Sequence, residues 1–392
     1  MRPVRHPGEL RWETRLLAVI VGTLVIFGIV AVYGASSLQM QGGVPRGMDR
    51  ALVQVTGAAL GGILLIVASR VDYYRWRQVA WPLLLVTIVL LLIPILPFTH
   101  AIAPRELGAR RWIDLGPLRF QPSELARLSI IVWCAMLATK KGERVREFRK
   151  GVLPFIAVLG LVFVLVLLEP NLSMATLITL LGGIVLFAAG ARVGHFVLLA
   201  AIAMVVGYQQ IMTAQYRLLR ALTWVGGADM DATGAGYQIA QSMAGFGSGR
   251  MFGVGLGEGQ GKLGYLPEAE TDFIFSTIGE EWGFVGVCVL IALYSTFCWL
   301  GFRIARTASD PFGQYLAIGL TAAVGVTAFM HMAVNTGLMP TTGLTLPFLS
   351  YGRSSQVVTL LAAGILINVG RMRGKARAPV RGAGSPIGAE RA

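Results

Sequence analysis

The stretch VLPFIAVLGLVFVLVLL (152–168), the three residues Glu169-Pro170-Asn171, and then LSMATLITLLGGIVLFAAG (172–190) decide the fold. Neither run carries a charge, and each comes close to the ~20 residues that a helix needs to cross a bilayer core of about 30 Å. Eight more windows read the same way: roughly 16–37, 51–69, 78–98, 123–139, 193–212, 273–302, 313–337 and 346–370. Ten spans of ~20 residues consume about 200 residues. The 392-residue chain is 55% apolar and 14% charged, so it can supply them; its mean hydropathy is +0.66. Soluble enzymes carry roughly 25% charge, so that class is excluded, as are disordered chains and disulfide scaffolds. A transmembrane β-barrel is excluded because the runs are continuous and do not alternate. The expected fold is all-α: a polytopic membrane protein with ten transmembrane helices and a large extracytoplasmic loop between spans seven and eight.

The formal net charge is +14, from 34 Lys and Arg against 20 Asp and Glu. In a soluble chain this would suggest nucleic acid. Here the cations fall in short loops, where they set orientation. The side holding both termini carries 22 of them and the opposite side 11; Arg127 lies inside the fourth window. Both tails are therefore expected in the cytoplasm, with no nucleic-acid partner. Cys134, Cys288 and Cys298 lie in apolar runs and read as inert buried thiols. The first apolar run is too long for a cleavable leader and lacks a small-residue cleavage site. The expected parts are a cytoplasmic tail 1–15, a membrane domain 16–372 containing the outer loop 213–271, and a disordered cytoplasmic tail 373–392, rich in Gly, Pro and Ala.

Loop 213–271 is too long to be a simple connection. It holds thirteen glycines and the carboxylates Asp229, Asp231, Glu258, Glu268 and Glu270, with Asp272 at its end. Its glycine run, Gly253 to Gly261 before Lys262, superficially resembles a phosphate cradle. It lacks the βαβ context of a dinucleotide site, and Leu263 stands where a Walker loop needs Ser or Thr. A tightly turning loop packed near the membrane surface is the simpler reading.

Three segments carry candidate chemistry. In the first, Arg110, Arg111, Trp112 and Arg119 precede Gln121-Pro122-Ser123-Glu124. Pro122 suits a first helical turn with Gln121 at the cap position. Glu124 complements the helix dipole and shares a face with Arg127. A capped, salt-paired helix start would explain these types, but so many outer-side arginines also suit an anionic ligand. In the second, Asp272 opens the eighth span, either as a helix cap with Thr271 or as a general base at a cavity mouth. Glu280 and Glu281 lie ~12–13 Å further along the axis, where an acid needs a partner, and an arginine is expected. In the third, His331 and Asn335 lead into Gly337 to Ser355, where prolines and glycines interrupt an apolar run. Irregular backbone at that depth must be buried in protein or line a cavity. His195 and His331 read as structural. No cluster has metal-ligand spacing.

Together these segments resemble the SEDS family, the FtsW/RodA group of cell-wall polymerases. The likeness rests on Arg111-Trp112, Arg119 to Leu125, Tyr237 to Ser242, Leu266-Pro-Glu268, Thr271 to Phe275, Pro340 to Phe348, and Ser350-Tyr-Gly352. It covers nearly the whole chain in order, and is nearer the division (FtsW) branch than the elongation (RodA) branch. It implies a peptidoglycan glycosyltransferase that polymerises lipid II into β-1,4-linked strands for septal wall synthesis. The implied partners are lipid-linked nascent glycan, a class B penicillin-binding protein transpeptidase and other divisome membrane proteins. The implied location is the bacterial inner membrane. The family's catalytic aspartate falls on Asp272. The family's other functional polar positions fall on Arg119, Glu124, Arg127 and Glu268, and Arg111, Ser350 and Arg353 join them as substrate-binding candidates of this chain. No organic cofactor is implied, and a divalent cation, Mg or Mn, is left open. Glu270 stands where the family often has histidine, and its charge is expected to raise the pKa of Asp272. Arg127 stands for lysine, Asn171 for an aspartate, Arg353 for glycine and His331 for glutamine. A lipid II flippase, an elongation-type polymerase and a non-catalytic scaffold are the rival readings.

Overall fold

The computed structural model describes residues 11–37, 40–41, 44–45, 47–105, 108–114, 116, 119–227, 234–259, 261 and 265–373. Asp229, Asp231, Lys262, Leu263 and the tail beyond 373, all named above, lie outside the described residues. The helices are α1 (Arg11–Ser36), α2 (Gly47–Arg70), α3 (Tyr74–Leu92), α4 (Pro122–Lys141), α5 (Leu153–Leu168), α6 (Leu172–Ala188), α7 (Val193–Met212), α8 (Gln215–Gly226), α9 (Ala235–Gly249), α10 (Ile274–Arg306), α11 (Pro311–Asn335) and α12 (Arg353–Arg371). Each of the ten apolar windows becomes a helix. Among the described residues, nine helices are long and apolar enough to cross a membrane, and α6 adds a shorter apolar helix. The chain is a multi-pass membrane protein.

Helix ends follow local chemistry. Pro311 occupies the first turn of α11, and Asp310 caps it by accepting the Gly313 N–H at 3.1 Å. Asn171 caps α6 in the same way through the Met174 N–H at 3.3 Å. Gln121 stands at the cap position of α4 with extended backbone, but its side chain donates to Ser123 Oγ and caps nothing.

α4 lies at the centre of the bundle, with nearly every residue from Pro122 to Ala138 buried; α7 buries none and sits outermost. α2 lies tightly along α12, because Gly57 and Gly61 leave room for it. A Cβ at Gly57 would stand 2.6 Å from Gln356 Oε1, and one at Gly61 2.6 Å from Leu360 Cδ1. Small residues four apart allow this approach where lipid gives no hydrophobic drive.

The membrane domain extends past its expected limits. Glu13 lies in α1, fully buried, and forms ion pairs with Arg303 of α10 and with Arg373 beyond α12. Arg373 is itself buried, so the chain stays anchored through the first residue of the expected tail.

Segment 213–271 is not a plain loop. It contains α8, which is amphipathic, and α9, which packs on α10. Its glycine run is built into a break in α10. Gly283 has φ +65° and interrupts the helix. Residues 250–255 insert there: Val254 and Gly255 donate to the carbonyls of Glu280 and Glu281, while Phe284 and Val285 donate to those of Arg250 and Met251. A Cβ at Gly253 would lie 2.1 Å from Glu281 O, and one at Gly283 2.3 Å from Gly253 N. The glycines serve backbone contact, in agreement with the tight-loop reading and not with a phosphate cradle. Glu280 accepts the Gly261 N–H at 3.2 Å, so its documented partner is the loop backbone.

α12 begins seven residues after the start of its window. The chain between α11 and α12 is non-helical, yet Leu344, Leu346, Phe348, Leu349 and Ser350 are buried in it. It is the irregular segment expected from its prolines and glycines.

Candidate functional site

At the end of the bundle opposite Glu13, four separate pieces of chain converge on Asp272. Their convergence follows from how Asp272 is held. The carbonyl of Glu268 accepts from the N–H groups of Thr271, Asp272 and Phe273 at 3.1, 3.0 and 3.2 Å, in a turn where Glu268 has φ +55°. Asp272 does not cap α10, whose Ncap is Phe273. The N–H of Ser276 is instead shared between Phe273 O in the first turn and Asn335 Oδ1 from α11, each at 3.0 Å. Asn335 Nδ2 then donates to the carbonyls of Asp272 and His331, both at 2.9 Å. Ser242 Oγ of α9 donates to Asn335 O at 2.7 Å, and Ser276 Oγ to Ser242 O at 2.8 Å. A cap supplied by another helix leaves the Asp272 carboxylate free for chemistry.

The irregular segment closes one wall. Gly343, with φ +70°, brings its backbone so close that a Cβ would lie 3.4 Å from Asp272 Oδ2. His331 Nδ1 meets Leu344 O at 2.7 Å, which makes His331 a structural brace. Ser350, expected to bind substrate, is buried. It spends its hydroxyl on Thr271 O (2.7 Å) and the Leu346 N–H (2.8 Å). Arg353 opens α12 and packs against Gly57.

The electrostatics single out Asp272. It is recessed yet keeps accessible surface. Burial raises its carboxyl to about 7; Glu268 adds to the rise, Arg220 and Arg111 oppose it, and Glu270 adds the last increment. The effect expected from Glu270 is therefore present but smallest. Its physical reason is Arg50 of α2, which forms an ion pair with the buried Glu270 while stacking over Tyr351 at 4.7 Å. Glu268 is exposed, and its carboxylate accepts from Thr271 Oγ1 at 2.8 Å.

Two cations act on Asp272 from separate elements. Arg111 donates through Nε to Glu169 O (3.1 Å) and through Nη2 to Pro170 O (2.5 Å), at the end of α5. Burial lowers its pKa, with Tyr216, Arg220, Glu169 and Asp272 among the other groups that act on it. Arg220 comes from α8 and donates to Thr341 O at 3.3 Å. The loop reading of 213–271 hides Arg220, whose sequence signal is the amphipathic pattern of 215–226 that places cations on one face. The sequence gives Asn335 no role and does not single out Arg50.

The other expected cations sit differently. Arg119 lies on strand β4 (Arg119–Phe120), paired antiparallel with β3 (Ile113–Asp114), and its guanidinium stacks 4.8 Å over Trp112. Ser354 Oγ ties this hairpin to α12, donating to Arg119 O at 3.1 Å. Arg127 and Glu124 form a buried ion pair at 3.0 Å, with Arg127 also donating to Thr359 at 3.0 Å. Neither Arg119 nor Arg127 is among the charges acting on Asp272. Among the described residues, no three His, Cys, Asp or Glu side chains gather as a metal-holding group. The chemical capacity here is a base titrating near neutrality beside two guanidinium groups.

Comparison with known proteins agrees with this architecture. The profile of the cell cycle protein family of FtsW, RodA and SpoVE matches residues 14–375. The chain is 41% identical to a probable peptidoglycan glycosyltransferase FtsW of Geobacter sulfurreducens, over 93% of this chain and 96% of that one. It is 35% identical to stage V sporulation protein E of Bacillus subtilis, over 91% and 96%. Among solved structures, it resembles a chain from work on the coordination of polymerization and crosslinking by a peptidoglycan synthase complex, with TM-score 0.76 and 27% identity over 92% of this chain and 98% of that one. The rod shape determining protein RodA of Thermus thermophilus matches with TM-score 0.65 and 27% identity, over 92% and 97%.

Proposed function

Since the chain belongs to the FtsW, RodA and SpoVE family of cell cycle proteins, we propose that the elements around Asp272 enclose a glycosyl-transfer chamber. The protein is a peptidoglycan glycosyltransferase, nearer to FtsW than to RodA, acting in septal wall synthesis. Its substrates are lipid II and the lipid-linked nascent strand. It works in the bacterial inner membrane beside a class B penicillin-binding protein and other divisome membrane proteins. The lysine and arginine distribution supports cytoplasmic termini, which puts the chamber on the outer face.

Asp272 is the general base. It takes the proton from the acceptor 4-hydroxyl as that oxygen bonds to C1 of the donor sugar. The bond from C1 to the lipid pyrophosphate breaks, and its electron pair leaves with the phosphate oxygen. Attack from the opposite face inverts C1 and yields the β-1,4 link. The developing negative charge falls to Arg111 and Arg220, whose anchoring to carbonyls organises them in advance. Arg119 and Arg353, together with Glu268 at the rim, line the approach of the substrates. The Glu124–Arg127 pair supports the helix beneath. Among the described residues no group of His, Cys, Asp and Glu side chains is built to hold a divalent cation.

The observation that carries this reading is the placement of Asp272, held by the Glu268 turn and Asn335, with Arg111 and Arg220 anchored to carbonyls on separate elements and acting on its carboxyl. Asp272→Asn, purified with its transpeptidase partner and given labelled lipid II, is expected to form no long glycan. Strands made at the wild-type rate would remove Asp272 from the role of base.

A further inference from the structure

Glu169 is a second acid behind the chamber that the reaction above leaves unused. It ends α5, and its side chain is 1% exposed. Neither carboxylate oxygen has a hydrogen-bond partner among the described residues. Helices α5 and α6, which flank it in sequence, contain no charged residue. α4 brings Glu124 and Arg127 to this end, but they pair with each other. Among the described residues, the charge acting on Glu169 is that of Arg111. The hydrogen bonds of Arg111 go to the carbonyls of Glu169 and Pro170, not to the carboxylate. Tyr216, Arg220 and Asp272 also act electrostatically on Arg111. One anchored guanidinium is thus coupled to a buried acid and to the proposed base.

We propose that Glu169 is a positioning residue for the transfer: protonated, it leaves the charge of Arg111 to the departing pyrophosphate, and on losing its proton it claims that guanidinium and shuts the chamber at alkaline pH. The proposal rests on the reading of the chamber as the glycosyl-transfer site. A buried carboxylate with no donor is strongly disfavoured. Burial raises Glu169 to about 9, against the lowering pull of Arg111. It is therefore neutral where Asp272, at about 7, is already ionised. Activity rises as Asp272 loses its proton and falls as Glu169 does, with a maximum between the two.

The test is polymerisation of lipid II by the full-length protein with its transpeptidase partner, from pH 6 to 10. Wild type is expected to lose activity above about pH 9. Glu169→Gln, which is always neutral, is expected to match wild type within twofold at pH 8 and to exceed it roughly tenfold one unit above the Glu169 pKa. A Gln variant whose rate falls with wild type above pH 9, or one that is folded but inactive at pH 8, overturns the proposal. If the Gln variant does not fold, Arg111→Gln reports the same coupling. Its low residual rate is expected to show no fall above pH 9, and a residual rate that still falls overturns the proposal. Wild type forming no glycan at any pH would instead strike the polymerase reading itself.

Discussion

Asn335→Ala tests whether the carboxylate of Asp272, the proposed base, is held by a cap borrowed from another helix. Asn335 is fully buried and makes three side-chain hydrogen bonds, to the Ser276 N–H and to the carbonyls of Asp272 and His331. Truncation leaves the Ser276 N–H only its first-turn bond to Phe273 O and loses three side-chain bonds worth about 1 kcal/mol each. The expected loss of stability is about 3 kcal/mol, read by thermal unfolding in detergent. Asp272 would keep only the turn at Glu268 O and the Ser350 staple on Thr271. A displacement of order 1 Å at a reacting group costs about 10²-fold in rate. Lipid II polymerisation, read as glycan length and kcat, should fall by about that factor, with KM nearly unchanged. Asn335→Asp keeps the acceptor for Ser276 but cannot donate to Asp272 O, and is expected to fail similarly. A folded Asn335→Ala protein polymerising within twofold of wild type would refute the reasoning.

Arg220→Gln should lower kcat about 10²–10³-fold, the usual cost of one preorganised charge donor; an unchanged kcat would remove Arg220 from the leaving-group role. Arg50→Met leaves the buried Glu270 without its arginine and should lower stability by about 3 kcal/mol, read by thermal unfolding in detergent; an unchanged melting temperature counts against the pair. Gly283→Ala puts a Cβ 2.3 Å from Gly253 N at a φ of +65°, and should prevent folding or lower the melting temperature sharply. Gly160→Ala, in open space on α5, should be neutral or stabilising by up to about 1 kcal/mol, so equal melting temperatures for the two variants would contradict the interlocked break in α10.

Legibility differed by residue and for physical reasons. The membrane helices were readable because lipid demands long uncharged runs, and runs such as 152–168 need no neighbour to declare themselves. The irregular backbone at 337–352 was also readable, since its prolines and glycines forbid regular helix locally. Asp272 and Arg111 stood out as charges at the ends of spans. Arg220 did not, because α8 is recognised only through its amphipathic face. Arg50 was invisible because its partner, Glu270, lies 220 positions along the chain.

Composition and local pattern determined the all-helical membrane architecture, the ends where chemistry can occur and the family motifs, because those depend on the solvent around each segment. Packing alone decided which charges meet. The cap that Asn335 lends to α10, the neutralising of Glu270 by Arg50 and the isolation of Glu169 behind Arg111 all join residues far apart in the chain. Their energies depend on distance and dielectric, and neither exists until the helices have assembled.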